Sequence, residues 1–555
     1  VVRHAAIERD RARAVARRDC AEISLARIAR DWSRLPQVAV PASDTPLAAA
    51  RASDLDVDGE ESLMAFAGAL TSSSGRRVLR GWMVDEPEPL AAIHSRQEAA
   101  RALARCADFR EAFAAEVRLG EAERDQALAR ARFLAWAVAP PSVLSRPAVR
   151  WIIRVWTALL LISITGAILS GTPLTQTWVA LSLGAFALSY IATARLHGEF
   201  DGASLGPTAL GNLVSMLKLA ESIPAKAERL DAVGARLCRP VSASAALESL
   251  ARRVGWSELR RTAPILHVPL QALTLWDFHL LFALDDWRAA SGAHVEGWLE
   301  AVAELDALLA LGTLAHDEPS WSFPLIEDAA APHVTADALG HPLIAPGRRV
   351  SNDAALGPPG TVLLVTGSNM AGKSTLLRAF GTNILLANAG APVCATHMTL
   401  TRLVLATSLR TGDSLAQGVS GYMAGLVRLK EIVDAGDRVT AQRANAAEAP
   451  ALCYLLDEIL AGTNSEERRL AVREIAAHLL SSHAVGAMTT HDLALADEPA
   501  LASATRVHFR ETVEPGSDGA KMTFDYVLRP GLATSTNAIA LLRAVGLTQV
   551  ASRLR

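Results

Sequence analysis

From Val155 to Ala194 the chain carries no Asp, Glu, Lys or Arg, and Gly171-Thr172-Pro173 divides this run into two apolar stretches. As helices, VWTALLLISITGAILSGT spans about 27 Å and LTQTWVALSLGAFALSYIATA about 31 Å, against a bilayer hydrocarbon core of about 30 Å. The breaker triplet suits a tight turn, so the pattern predicts a transmembrane helical hairpin over residues 151–195. Trp151, Trp156, Trp178 and Tyr190 lie toward its ends, where interfacial aromatics gather. Arg146, Arg150, Arg154 and Arg195 flank the outer ends, while the turn is uncharged. Both long flanks are therefore expected on the cytoplasmic side of the cytoplasmic membrane, with the bilayer as partner through residues 151–195. The competing reading, a hairpin buried in a soluble core, has to keep about 40 consecutive residues free of charge, which cores seldom do.

Elsewhere the apolar positions follow a helical period. Residues 1–50 read as an Arg-rich helical segment with interspersed acids and then a linker, marked by the breakers Pro36, Pro41, Ser43, Asp44 and Pro46. From Leu55 to Leu311, Ala, Leu, Arg and Glu recur at helical spacing, as in Val78, Leu79, Trp82 and again Ala301, Leu305, Leu308, Leu309. Asp317-Glu318-Pro319 and Gly340-His341-Pro342 then punctuate a change to short β-type runs alternating with helical ones. That alternation predicts a parallel sheet with its ligands at the strand carboxyl ends. The expected fold class is multidomain: a mainly α-helical core or lever domain over 51–330 containing the hairpin, then an α/β domain over 331–555.

Composition adds constraints. Among 555 residues, 55 Lys and Arg against 58 Asp and Glu leave a net charge of −3, so no excess of basic charge announces a nucleic-acid binder, although a local patch remains compatible. Hydrophobic residues make up 50% and the mean hydropathy is +0.22, a value the hairpin and the Ala/Leu-rich helices together explain. Five scattered cysteines, without CxxC or zinc-site spacing, fit a reduced cytoplasmic chain. The first residues lack the apolar core of a secretory signal.

The chemistry concentrates in TVLLVTGSNMAGKSTLLRAF, an apolar β-type run entering Gly367-x-x-x-x-Gly372-Lys373-Ser374 and then a helical pattern. This is a P-loop in the strand, loop and helix context it requires. The turn Gly367, Ser368, Asn369, Met370, Ala371, Gly372 would present backbone N–H groups to phosphates, the helix N-terminus adds its dipole, and Lys373 reaches the β- and γ-phosphates of ATP. Ser374 would hold Mg2+, with Thr375 beside it in the first turn. The run Ala451-Leu-Cys-Tyr-Leu-Leu-Asp457-Glu458 is an apolar strand ending in two acids, as a Walker B element does. Asp457 would join the Mg2+ shell and Glu458 would polarise the attacking water. A further apolar run ends in Thr490-His491-Asp492, which places His491 to sense the γ-phosphate.

These motifs, in this order, resemble the MutS family of ATPases. TGSNMAGKST is similar to the family's TGPNMGGKST, with Ser368 for Pro and Ala371 for Gly, and LLDEILAGTNSEE to its DEIGRGTST element, with Ala461 for an Arg. TTHD around His491 matches the family's ATH motif, and Gly340-His341-Pro342 with Asn352 fits the lead-in to its ATPase domain. DSLAQGVSGYMAGLVRL resembles the signature helix, with Gly425 where the family usually has Glu. Gly75-Arg-Arg-Val-Leu-Arg-Gly-Trp82 resembles the start of the helical core domain.

The resemblance implies a homodimer through the ATPase domain. Ser420 would be offered in trans to the opposite subunit's ATP, and PGLATSTNAIALLRAVGL would act as a dimerising helical element. It implies a DNA-binding, mismatch-repair-related protein. The region before residue 50 is shorter than the family's mismatch-recognition and connector domains, so a member without them is expected. The hairpin departs from the DNA-repair members and opens the alternative of a membrane mechanochemical ATPase acting on a protein, lipid or solute.

Overall fold

The computed structural model describes all residues except 1, 37–44, 122–125, 170–175, 207–208, 369, 411–420, 447–448, 460–464, 497, 517–518 and 534–555. The chain packs into two units. One comprises Val1–Cys20, Asp108–Lys226 and Leu230–Leu305; the other comprises Ala21–Ala107, Ala227–Arg229 and Asp306–Arg555.

The described elements of the first unit are helices. Pro147–Leu169 and Gln176–Ala203 pair as the two arms of the expected hairpin, while its turn triplet lies outside the described residues. The arms cross closely because position 184 is a glycine. A Cβ there would lie 2.7 Å from the Trp156 ring, and the indole nitrogen of Trp156 donates to the Leu181 carbonyl at 3.3 Å. Only 17% of the most apolar window of each arm is buried, and both are long and apolar enough to cross a membrane. Beside them, Trp136 stacks on Trp287 with ring centroids 5.9 Å apart. The Arg288 guanidinium lies 5.0 Å from the Trp136 ring and pairs with Asp285 and Glu199. A buried arginine is tolerable only with such partners, since an unpaired buried charge is very costly.

The second unit is built on a six-stranded sheet. Its strands are β4 (Leu363–Thr366), β6 (Leu403–Ser408), β7 (Ala451–Leu456), β8 (Val485–Thr490), β9 (Thr505–His508) and β12 (Arg529–Pro530), in the order β12-β9-β4-β8-β7-β6. All neighbours are parallel except β12 against β9. Every residue of β4, β7 and β8 is buried, as continuous apolar runs covered on both faces should be. A four-stranded sheet precedes and interleaves with it, formed by β1 (Leu325–Glu327), β2 (Val334–Leu339), β3 (Asn352–Leu356) and β5 (His397–Thr401) in the order β1-β5-β2-β3. Strands β10 (Glu511–Gly516) and β11 (Gly519–Phe524) form an antiparallel hairpin.

The helices between residues 46 and 107, expected with the helical domain of 51–330, share one core with this sheet. Leu55, Leu63, Phe66, Leu79 and Met83 pack in the same cluster as Val365 of β4 and Phe380, Ile384 and Leu385 of the helix Lys373–Ala389. Each such side chain contributes about 1.5–3 kcal/mol on full burial. Arg96 is buried among them. It donates to the Asn388 carbonyl at 2.9 Å, pairs with Glu88 at 2.7 Å and lies 4.8 Å from the Trp82 ring centre.

Two glycine replacements separate close packing from open helix. At Gly486 in β8 a Cβ would come 2.5 Å from the Tyr454 carbonyl oxygen, so Gly486→Ala is expected to lose about 1–3 kcal/mol. At Gly234, in the helix Glu228–Cys238, a Cβ meets nothing within 4 Å, and Gly234→Ala is expected to gain about 0.5–1 kcal/mol. Thermal melting of both variants against the parent checks the opposite signs.

Candidate nucleotide site

Strand β4 ends in a turn whose backbone an ordinary side chain resists. Gly367 has φ +145° and Gly372 φ +110°, and Met370 between them has φ +69°. A Cβ at Gly367 would meet the Phe509 carbonyl at 3.2 Å, and one at Gly372 would meet the Tyr526 ring at 3.2 Å. Lys373 opens the following helix with its ammonium buried beneath the turn, donating to the carbonyls of Gly367 at 2.8 Å and Ser368 at 3.0 Å. Ser374 and Thr375 stand exposed in the first helical turn, Ala371 is buried, and the Ser368 hydroxyl donates to Glu511 at 3.1 Å.

The two acids arrive from β7, separated from β4 by β8 in the sheet. Glu458 has φ +41°, an unusual conformation for a residue with a side chain, and such strain gathers at functional sites. It is held by Thr489 of β8, whose hydroxyl accepts from the Glu458 backbone N–H at 3.1 Å and donates to the Asp457 carboxylate. The Glu458 carboxylate lies 3.6 Å from the Lys373 ammonium and 3.3 Å from Nδ1 of His491. Three sequence-separated segments thus meet as Lys373, Glu458 and His491. Asn369 and Ser420 lie outside the described residues.

Lys373, Asp457 and Glu458 line a cavity of about 740 Å3. Ser368, Ser374, His341, Ile344, Val350 and Asn352 line it as well. Phe509 and Tyr526 also line it and had no signal in the sequence, because they come from irregular chain after β9 and after β11. Phe509 is buried behind the turn. Asn352 ties that returning chain in place, donating to the Tyr526 carbonyl at 3.0 Å and accepting from the Leu528 N–H at 2.7 Å. Thr489 was legible only as part of TTHD. Its clamping role needs the β7 and β8 registers.

His341 sits in the cavity wall with Nδ1 accepting from the Leu343 N–H at 3.2 Å. Burial, reinforced by the Arg378 guanidinium, pushes its pKa down to about 4 from an ordinary value of 6.5. The ring is therefore neutral at pH 7, with Nε2 carrying the proton.

Residues 363–553 match the family model described as MutS domain V. Over these residues the chain is similar to the MutS ATPase domain. Among curated proteins, the chain is 28% identical over 283 residues to the DNA mismatch repair protein MutS 2 of Halobacterium salinarum, covering 49% of this chain and 30% of that protein. It is 30% identical over 268 residues to the Endonuclease MutS2 of Thermomicrobium roseum, covering 45% and 31%. The Endonuclease MutS2 of Symbiobacterium thermophilum is 30% identical over 259 residues, with 45% and 29% covered. The chain thus spans under a third of the length of each of these three relatives. A helical N-terminal region followed by an α/β sheet-containing C-terminal domain accords with the coarse architecture expected.

Because the folded pKa of His341 lies below the unfolded value, the folded protein binds fewer protons than the unfolded chain between the two. The stability linked to neutral His341 is fully present above pH 6.5 and declines as pH falls from 6.5 toward 4, levelling below that. His341→Gln should lose less stability across that window than the parent, a difference that denaturant titrations at pH 7, 5.5 and 4.5 would reveal.

Proposed function

We propose that the chain is a membrane-anchored MutS-like ATPase that closes as a dimer on ATP and reopens on hydrolysis. The observation that carries the reading is the meeting of Lys373, Glu458 and His491, from three separate segments, with Lys373 and Glu458 lining one cavity together with Ser374 and Asp457. The residues fit the nucleotide and its metal. Gly367 and Gly372 hold positive φ without a Cβ, the Lys373 ammonium is held ready by carbonyls, and Ser374 and Asp457 are hard oxygen donors of the kind Mg2+ prefers.

In this reading the turn from Gly367 to Gly372 cradles the phosphates and Lys373 turns from the loop carbonyls to the β- and γ-phosphates. Ser374 and Asp457 hold Mg2+, which neutralises phosphate charge. Glu458, oriented by Thr489, accepts the hydrogen bond of the attacking water, and His491 hydrogen-bonds Glu458 and senses the γ-phosphate. Ser420 completes the partner's site in trans and the C-terminal helical segment dimerises, both by family resemblance. The anchor is the hairpin of 151–195, supported by its length, its lack of charge and its low burial. It leaves the ATPase domain on the cytoplasmic side. DNA is proposed as the dimer's ligand by relation to mismatch-repair proteins, an inference from family rather than from the site itself.

Hydrolysis by the detergent-purified full chain tests the catalytic assignment. Lys373→Ala is expected to abolish nucleotide binding, and Glu458→Gln to keep binding while lowering turnover about 10²–10⁴-fold. Rates equal to the parent's in both variants would refute these roles. The ligand is tested separately. DNA binding that weakens steeply with salt and changes between ATP and ADP supports the DNA assignment. Its absence in both states would leave the mechanochemical alternative, an ATPase acting on a protein, lipid or solute at the membrane.

A further inference from the structure

We infer that the helix Pro264–Thr274 is a third membrane-contacting element, seated in the bilayer interface beside the hairpin. Its polarity is inverted. A helix on a soluble protein turns its apolar stripe inward and its polar face to water. Here Ile265, Leu266 and Val268 are 87%, 65% and 51% exposed, and Pro264 and Pro269 are exposed with them. The buried face instead carries His267 and Gln271.

Those inward polar groups are matched. Nε2 of His267 lies 3.0 Å from the Asp277 carboxylate, and Gln271 accepts from the Asp277 N–H at 2.8 Å. The Gln271 amide donates to the Ser189 hydroxyl of the second hairpin arm at 2.7 Å. Thr157 of the first arm donates to the Thr274 carbonyl at 3.2 Å. Polar groups satisfied inside and hydrocarbon presented outside is the arrangement lipid selects. Water offers nothing to three large exposed apolar side chains, whereas acyl chains do.

The depth follows from the attachment points. Ser189 lies six residues before Arg195 and Thr157 three after Arg154, so the helix meets the hairpin within about 9 Å of its charged, cytoplasmic end. Eleven residues make about 16 Å of helix, half of what a crossing requires, so the element lies in the interface rather than spanning. Arg260 and Arg261 precede it, and Trp256, 55% exposed and edge-on to Trp276, stands beside them as a headgroup-level rim. The occupant is thus the headgroup and upper acyl region of the same leaflet, continuous with the surface of the hairpin.

This inference rests on the membrane reading of the hairpin, and the test keeps the two apart. Full-length protein lacking the two unburied native thiols (Cys106→Ser, Cys238→Ser) is labelled with a nitroxide at Ile265→Cys or Val268→Cys and reconstituted in phosphatidylcholine/phosphatidylglycerol vesicles. Ile162→Cys and Leu183→Cys report the hairpin, and Arg252→Cys reports water. Positions 265 and 268 should show a several-fold higher ratio of oxygen to nickel-chelate accessibility than 252. A ratio equal to that at 252, with 162 and 183 in lipid, overturns the interfacial helix and leaves the hairpin standing. So does low accessibility to both quenchers at 265 and 268, which would mean a protein contact. Water-like values at 162 and 183 overturn the anchor and this inference together.

Discussion

Lys373 places an ammonium in a buried position, and the surrounding structure is arranged to make that charge tolerable. An unpaired charge there would cost several kcal/mol, and the turn aims two carbonyls at it from a backbone in which Gly367 and Gly372 hold positive φ. The turn in turn needs a rigid base. Strand β4 supplies it, fully buried and paired in parallel on both edges, with β8 on one side and β9 on the other. The same pairing brings the ends of β7 and β8 to the level of the turn. Glu458 therefore faces the ammonium at 3.6 Å, and Thr489 can fix both acids at once.

A sheet buried on both faces must be covered. Part of the cover comes from far along the chain: Leu55, Phe66 and Leu79 pack with Phe380 and Ile384 behind the phosphate turn. Arg27 and Arg30, paired with Asp317 and Glu318, bind the end of the N-terminal helix into the same unit. The helix that follows the glycine turn is thus backed by helices that sequence order alone assigns to a different domain, and it has direct packing neighbours in residues 46–107.

Polarity inverts in the other unit. The hairpin arms present apolar side chains outward, and Ser189 and Thr157 reach polar partners inward. The hairpin itself carries no Asp, Glu, Lys or Arg from 155 to 194, yet folding brings the His267 and Asp277 pair against it through Gln271. The His267 and Asp277 contact lies on the protein side, while the charge-free arms keep large apolar side chains outward.

The sequence by itself determined local features: the glycine turn leading into the helix at Lys373, the acids closing an apolar strand at Asp457 and Glu458, the histidine following the next strand at 491, and two apolar helices long enough to cross a bilayer. These were legible because each depends on residues close together in the chain, where spacing alone sets the period and the turn. Tertiary structure decided what depends on registers between distant segments. The Thr489 clamp, the Phe509 and Tyr526 walls and the Asn352 tie arise from strand pairing and returning chain. The membership of residues 46–107 in the sheet's core, and the reversed faces of Pro264–Thr274, depend on what each helix packs against. A one-dimensional pattern records that a position is apolar, but not whether protein or solvent meets it, and that choice is made only when the chain has folded.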